Sequence, residues 1–112
     1  MIVCMPVTAD GQLGQSWGRA DRVAIAEVGA TEITSWQEFE VGWDKSHDVG
    51  EHSEHHDRIA KFLTDHHVGC VVAGHMGPPM VEMLGEMGIV ARLGAAGEAR
   101  AAAVAAAVLA RN

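Results

Sequence analysis

Two short runs in this chain hold no charged or strongly polar side chain: Ile2-Val3-Cys4-Met5-Pro6-Val7 and Cys70-Val71-Val72-Ala73. Each is rich in strand formers and closed by turn residues, so each predicts a strand buried on both faces. The segments between them set the order. Thr8 to Gly18, with three glycines, is a long loop. Arg22 to Val28 predicts a second strand, with Val23, Ile25 and Glu27 on one face. Gly29-Ala30 is a turn. Thr31 to Val41 alternates, with Ile33, Ser35, Gln37 and Phe39 opposite Thr34, Trp36, Glu38 and Glu40; this is a half-exposed strand joined to its predecessor as a hairpin. Gly42 to His52 carries no apolar period and predicts a loop. Ser53 caps a helix from Glu54 to about His67, apolar along Ile59, Ala60, Phe62 and Leu63 and stopped by Gly69. Gly77-Pro78 opens a helix to Met87, ended by Gly88. Ile89 to Leu93 is a short last strand, Gly94 to Gly97 a loop, and Glu98 to Arg111 a terminal helix. The order β-β-β-α-β-α-β-α puts an antiparallel meander in front. The strand–helix repeats behind it imply parallel pairing with right-handed crossovers.

At 112 residues the chain is one domain, residues 1–112, and its 48% apolar content supports a real core. A net charge of −7 argues against a nucleic-acid partner, which would want clustered Lys and Arg. No stretch reaches the roughly 18 consecutive apolar residues of a membrane helix, and the Ala-rich tail is interrupted by Arg100. The chain enters its first strand without a basic leader. No membrane and a cytoplasmic location are therefore expected. Cys4 and Cys70, both inside apolar runs, are expected as buried free thiols of a reducing compartment rather than as a disulfide or as ligands.

All seven histidines fall between His47 and His75, and neutral imidazole is the commonest protein ligand for transition metals. His75 directly follows a buried strand, so it belongs at the carboxyl edge of the sheet, where open α/β sheets bind ligands. Behind it, the helix opened by Gly77-Pro78 is expected to offer free N–H groups and a dipole to an anion. His52, His55 and His56 crowd the start of the earlier helix; one turn more of helix would make His52 and His56 an i, i+4 chelating pair. His66 and His67 read as helix-end residues favoured by the dipole. Arg19 and Arg22, in an acidic chain, are candidate cations for an anionic ligand. Met76, Met80, Met83 and Met87 form one helical stripe, best explained as core, with Met76 placed to line a pocket. Trp36 reads as a half-buried strand residue. Trp43 covers either a ligand or the core.

Several local patterns then add up. Ile2 to Val7 followed by Asp10-Gly11 is an opening strand and turn. Ser16-Trp17-Gly18-Arg19-Ala20 is similar to a Phe-Gly-Arg-Ala signature, with Trp17 where phenylalanine is usual. A His-rich loop, His47 to His56, precedes the first helix. Val68 to Gly74 followed by Met76-Gly77-Pro78 is a strand and a Gly-Pro helix start, and Gly88-Ile89-Val90 with Leu93-Gly94 forms the last strand. In this order they resemble the dinitrogenase iron–molybdenum cofactor biosynthesis family (NifX-like and NafY-like domains), over Met1 to about Gly94. The resemblance implies a ribonuclease H-like α/β fold, a mixed five-stranded sheet with helices on both faces. It implies a nitrogen fixation-related role: binding or carrying an iron–molybdenum cofactor, its precursor or another metal–sulfur cluster. A cofactor-biosynthesis or cluster-acceptor protein is then the expected partner, and the chain a monomer or homodimer.

Under that reading Gly74, His75, Met76, Gly77 and Arg19 belong to the cofactor site, and His75, His52, His55 and His56 are the candidate metal ligands. The alternative is a single-ion module, in which the His47–His56 loop orders around zinc, nickel or copper. Enzymatic readings fare worse. The first strand carries no acid for a two-metal nuclease. Ser53 near His56 is helix-start chemistry without a nucleophile elbow. No glycine-rich phosphate loop ends in Lys-Ser/Thr. A non-enzymatic protein is expected.

Overall fold

The computed structural model describes residues 1–14, 16–43 and 52–111. Among them the elements run β1 (Ile2–Pro6), β2 (Arg22–Val28), β3 (Ile33–Glu40), α1 (His52–Asp65), β4 (Cys70–Val72), α2 (Pro78–Glu86), β5 (Val90–Arg92) and α3 (Ala99–Arg111). The strands form one open mixed sheet in the order β3-β2-β1-β4-β5. β1 and β2, and β2 and β3, pair antiparallel, whereas β1 and β4, and β4 and β5, pair parallel. This is the mixed five-stranded α/β sheet that the element order called for.

Strand parity sorts the core onto two faces. Cys4, Val23, Ile25 and Val71 meet Ile59 and Leu63 of α1 and Met80 and Leu84 of α2. Val3, Met5, Ala24, Ala26, Val28, Cys70 and Val72 meet Ala99, Ala103, Ala106 and Ala107 of α3. The first face is filled by long side chains, and burying one leucine there contributes about 1.5–3 kcal/mol. The second is closed by alanines, which let the helix backbone approach the sheet. Cys4 and Cys70 fall on opposite faces, buried and unbridged. Burial pushes the Cys4 thiol far above its ordinary range. It pushes Cys70 up to about 11, although the nearby Arg92 charge works in the other direction. At both positions burial therefore favours the protonated thiol.

Three local expectations are corrected. Ile33 and Trp36, placed on opposite faces by simple alternation, both pack toward α3. The pairing of β2 with β3 slips between Glu27 and Val28, so that Thr34 is an extra residue and the parity flips. Ser53 lies inside α1, which has already begun at His52, and so is not its cap. The end of α1 is made by His67, with φ of 56°, and not by Gly69. His67 takes the left-handed conformation that lets the Val68 N–H reach the Leu63 carbonyl at 3.0 Å. Gly69 instead donates its N–H to Ile2, at 2.9 Å. No helix among the described residues is long and apolar enough to cross a membrane.

Candidate functional site

Topology brings three segments to one edge. β1 and β4 are parallel neighbours, so the loops that follow them emerge on the same side. They lie against each other there: Ser16 bridges to His75, and the Trp17 N–H donates to the His75 carbonyl at 3.3 Å. α1 must end where β4 begins, so its fourteen residues carry its start back to the carboxyl end of β4. Gly14 holds the first loop down on β1. Its N–H reaches the Pro6 carbonyl at 2.8 Å, and a Cβ there would stand 3.1 Å from the Pro6 side chain.

Between these segments lies a hollow of about 320 Å³, lined by Gly18, His55, His56, Met76, Gly77, Pro79 and Met80. His55 is 3% exposed, and its Nε2 lies 2.8 Å from the Gly18 carbonyl oxygen. A carbonyl only accepts, so Nε2 carries the proton and donates it. The ring is thereby fixed in place, and in its neutral form the lone pair is on Nδ1. A backbone carbonyl on the distal N–H is the usual way in which a ligating histidine is oriented. His56 follows, half-buried, with its ring centroid 6.3 Å from that of His55. Met76 and Met80, 5% and 4% exposed, add thioether sulfur.

Of the residues proposed from sequence, His55, His56, Met76 and Gly77 therefore share one hollow. His75 and Gly74 line a neighbouring one of about 280 Å³ with Gly94, Ala95 and Ala96. His75 itself is exposed. Arg19 is exposed on the Gly18 loop and lines neither. Arg22 is engaged elsewhere, with Glu38 at 3.2 Å and Glu40 at 2.9 Å, so it is a strand-pairing cation and not a ligand-edge one. His47 and the side chain of His52 lie outside the described residues. Among the described residues, no three His, Cys, Asp or Glu side chains are grouped closely enough to hold one metal ion.

The expected N–H donors at the start of α2 are absent. Pro78 and Pro79 have none to give, and the Met80 and Val81 N–H groups turn back to the Gly77 carbonyl, both at 3.1 Å. The double proline was visible in the sequence and already excluded those donors. Gly18, Pro79 and Met80 were missed as lining residues. The Gly18 contribution is a backbone carbonyl, which no side-chain pattern reveals, and Met80 belongs equally to the core stripe. Trp43 covers core: it is 4% exposed and packs edge-on against Trp17 and Phe62, with centroids 5.1 and 5.6 Å away. His66, directly after the last residue of α1, is wedged between Phe39 and Phe62, at 4.9 and 4.5 Å.

A family model described as dinitrogenase iron-molybdenum cofactor matches residues 1–109. The crystal structure of PH0822 superposes with a TM-score of 0.69 at 20% identity, covering 90% of this chain and 81% of that one. At that identity the likeness shows the fold alone. No curated protein matches significantly.

Proposed function

We propose, from the premise that this chain belongs to the dinitrogenase iron–molybdenum cofactor family, that it is a small non-enzymatic binder or carrier of the iron–molybdenum cofactor, its precursor or another metal–sulfur cluster. The observation that carries this reading is His55, a buried imidazole facing a hollow and oriented by a backbone carbonyl. A carrier must release its cargo, so a few neutral ligands suit it better than a set of thiolates. Both cysteines are buried in strands, and a four-thiolate iron–sulfur site needs more cysteines than the chain has. In this reading His55 and His56 supply nitrogen to a metal of the cluster. Met76, Met80 and Gly77 give a soft, apolar wall against its sulfides. His75 and Arg19, just outside, supply a further imidazole and a cation for an anionic cargo. A cluster-supplying or cluster-accepting protein is the corresponding partner.

Iron–molybdenum cofactor, titrated anaerobically into tag-free protein, should co-elute with it on gel filtration and carry molybdenum and acid-labile sulfide. His55→Ala should weaken retention by about tenfold or more, in the range that loss of a metal-site group produces. His75→Ala should weaken it less. Equal retention by wild type, His55→Ala and His56→Ala would sink the reading. Failure of the cofactor to bind, together with stoichiometric zinc or nickel uptake lost on replacing His47 and His52, would replace it with the single-ion module.

A further inference from the structure

A further hollow, of about 510 Å³, lies on the α3 face of the sheet, away from His55. Its origin is architectural. α1 and α2 share one face, whereas α3 alone covers the other and packs on β1, β4 and β2. The outer strand β5 is therefore left with a groove beside the helix. The floor is Val72 and Arg92, the helix wall is Ala101, Ala102, Ala105, Ala106 and Leu109, and the turn after β5 makes the far wall. Leu93 and Leu109, 46% and 57% exposed, flank it.

Arg92 gives the groove its chemistry. Its Nε is buried and has no hydrogen-bond acceptor among the described residues. A buried N–H without an acceptor is destabilising, and more so when the group is charged. The chain does not lack acids: it has fifteen against eight Lys and Arg. Other cations find them, Arg22 on Glu38 and Glu40, and Lys61 on Asp65 at 2.8 Å. The walls facing Arg92 are alanine and leucine, so no side chain of the groove can answer it.

We propose that this groove binds an amphipathic monoanion of the alkyl-carboxylate class, its carboxylate on the Arg92 guanidinium and its tail along the alanine wall of α3. A planar carboxylate matches the guanidinium fork, which lines the groove and forms no ion pair with an acid of the described residues. An alkyl tail covers the alanine and leucine walls without needing a polar partner.

Sodium octanoate, below its micellar concentration, is titrated into isotope-labelled full-length protein and followed by NMR and calorimetry. Saturable shifts are expected at the Arg92 Nε–H and at the amides of Leu93, Ala102 and Ala105. Octanol and acetate should each bind at least tenfold more weakly, because one lacks the charge and the other the tail. Arg92→Gln should weaken octanoate about tenfold or more, in keeping with loss of a charge-assisted hydrogen bond. Ala105→Trp, at an exposed helix position, should block the groove without disturbing the core, so the test survives if Arg92→Gln fails to fold. Octanol binding as well as octanoate, acetate binding as well as octanoate, or no shift at Arg92 would each overturn the proposal. Sedimentation showing a dimer closed over this groove, with octanoate unable to enter, would overturn it in favour of a second copy of the chain.

Discussion

The two faces of the sheet are built on opposite rules. The α1–α2 face is made of bulk: Trp17, Ile59, Leu63 and Leu84 are fully buried there. The α3 face is made of small side chains, with Ala99, Ala103, Ala106 and Ala107 laid on valines and alanines of the sheet. Their hollows differ for the same reason. On the first face a gap survives where two loops and the first turn of α1 converge, and it is lined by imidazole and thioether. On the second a gap survives because one thin helix cannot reach β5, and it is lined by methyl groups around one arginine. The lesson is that a functional hollow in a small α/β domain arises either from converging loops or from incomplete cover. The side chains left facing it decide its chemistry.

The comparison makes opposite demands on mutation. Removing volume should hurt the first face most. Leu63→Ala, at a fully buried position, should cost about 2–5 kcal/mol in urea unfolding at pH 7. A cost below about 1 kcal/mol would mean that this face is looser than its burial indicates. Adding volume should hurt the second face. Ala103→Leu, also fully buried, should cost about 1–3 kcal/mol by the same measurement, because α3 must lift from the sheet. If it stabilised the protein, the close approach of α3 would be wrong.

The smallest effect is electrostatic. The β3 side of the α3 face is dressed by polar contacts. The Trp36 Nε1–H donates to Glu38 at 3.0 Å, Arg22 pairs with Glu38, and the Arg100 guanidinium lies 4.4 Å over the Trp36 ring. The Trp36 donor first, and Arg22 second, hold the Glu38 carboxyl below its ordinary value. A carboxylate depressed by folding contributes stability above its unfolded pKa and loses it as pH falls through the folded one. Stability should therefore drop a little below about pH 4.5, the ordinary carboxylate range. Glu38→Gln should shallow that acid slope and leave the cost of Leu63→Ala unchanged. An acid slope identical in the variant would show that the contact is fully screened, as exposed pairs often are.

Much of this could be read before any coordinates. The wholly apolar Ile2-to-Val7 and Cys70-to-Ala73 runs named two strands buried on both faces, because helices covering both faces of a strand exclude polar side chains from it. Strict alternation failed in β3 because a bulge at Thr34 depends on how β2 pairs with it, and pairing is not a property of one segment. The close of α1 was misplaced because His67 adopts a backbone conformation that propensity assigns to glycine. Of the site, the sequence pointed to His55, His56, Met76 and Gly77, but it ranked His75 ahead of them. Position after a strand was legible; which neighbouring loop would fold over it was not.

Element order, acidic character, the burial of both cysteines and the family were all legible along the chain, since each depends on local composition or spacing. Tertiary structure decided what faces what. It set His55 against the Gly18 carbonyl, 37 residues away in the chain, and it left Arg92 in a groove without an acid. The physical reason is that a side chain's chemistry is fixed by its covalent structure. Its hydrogen-bond partner and its access to solvent are set by segments that meet only when the sheet closes.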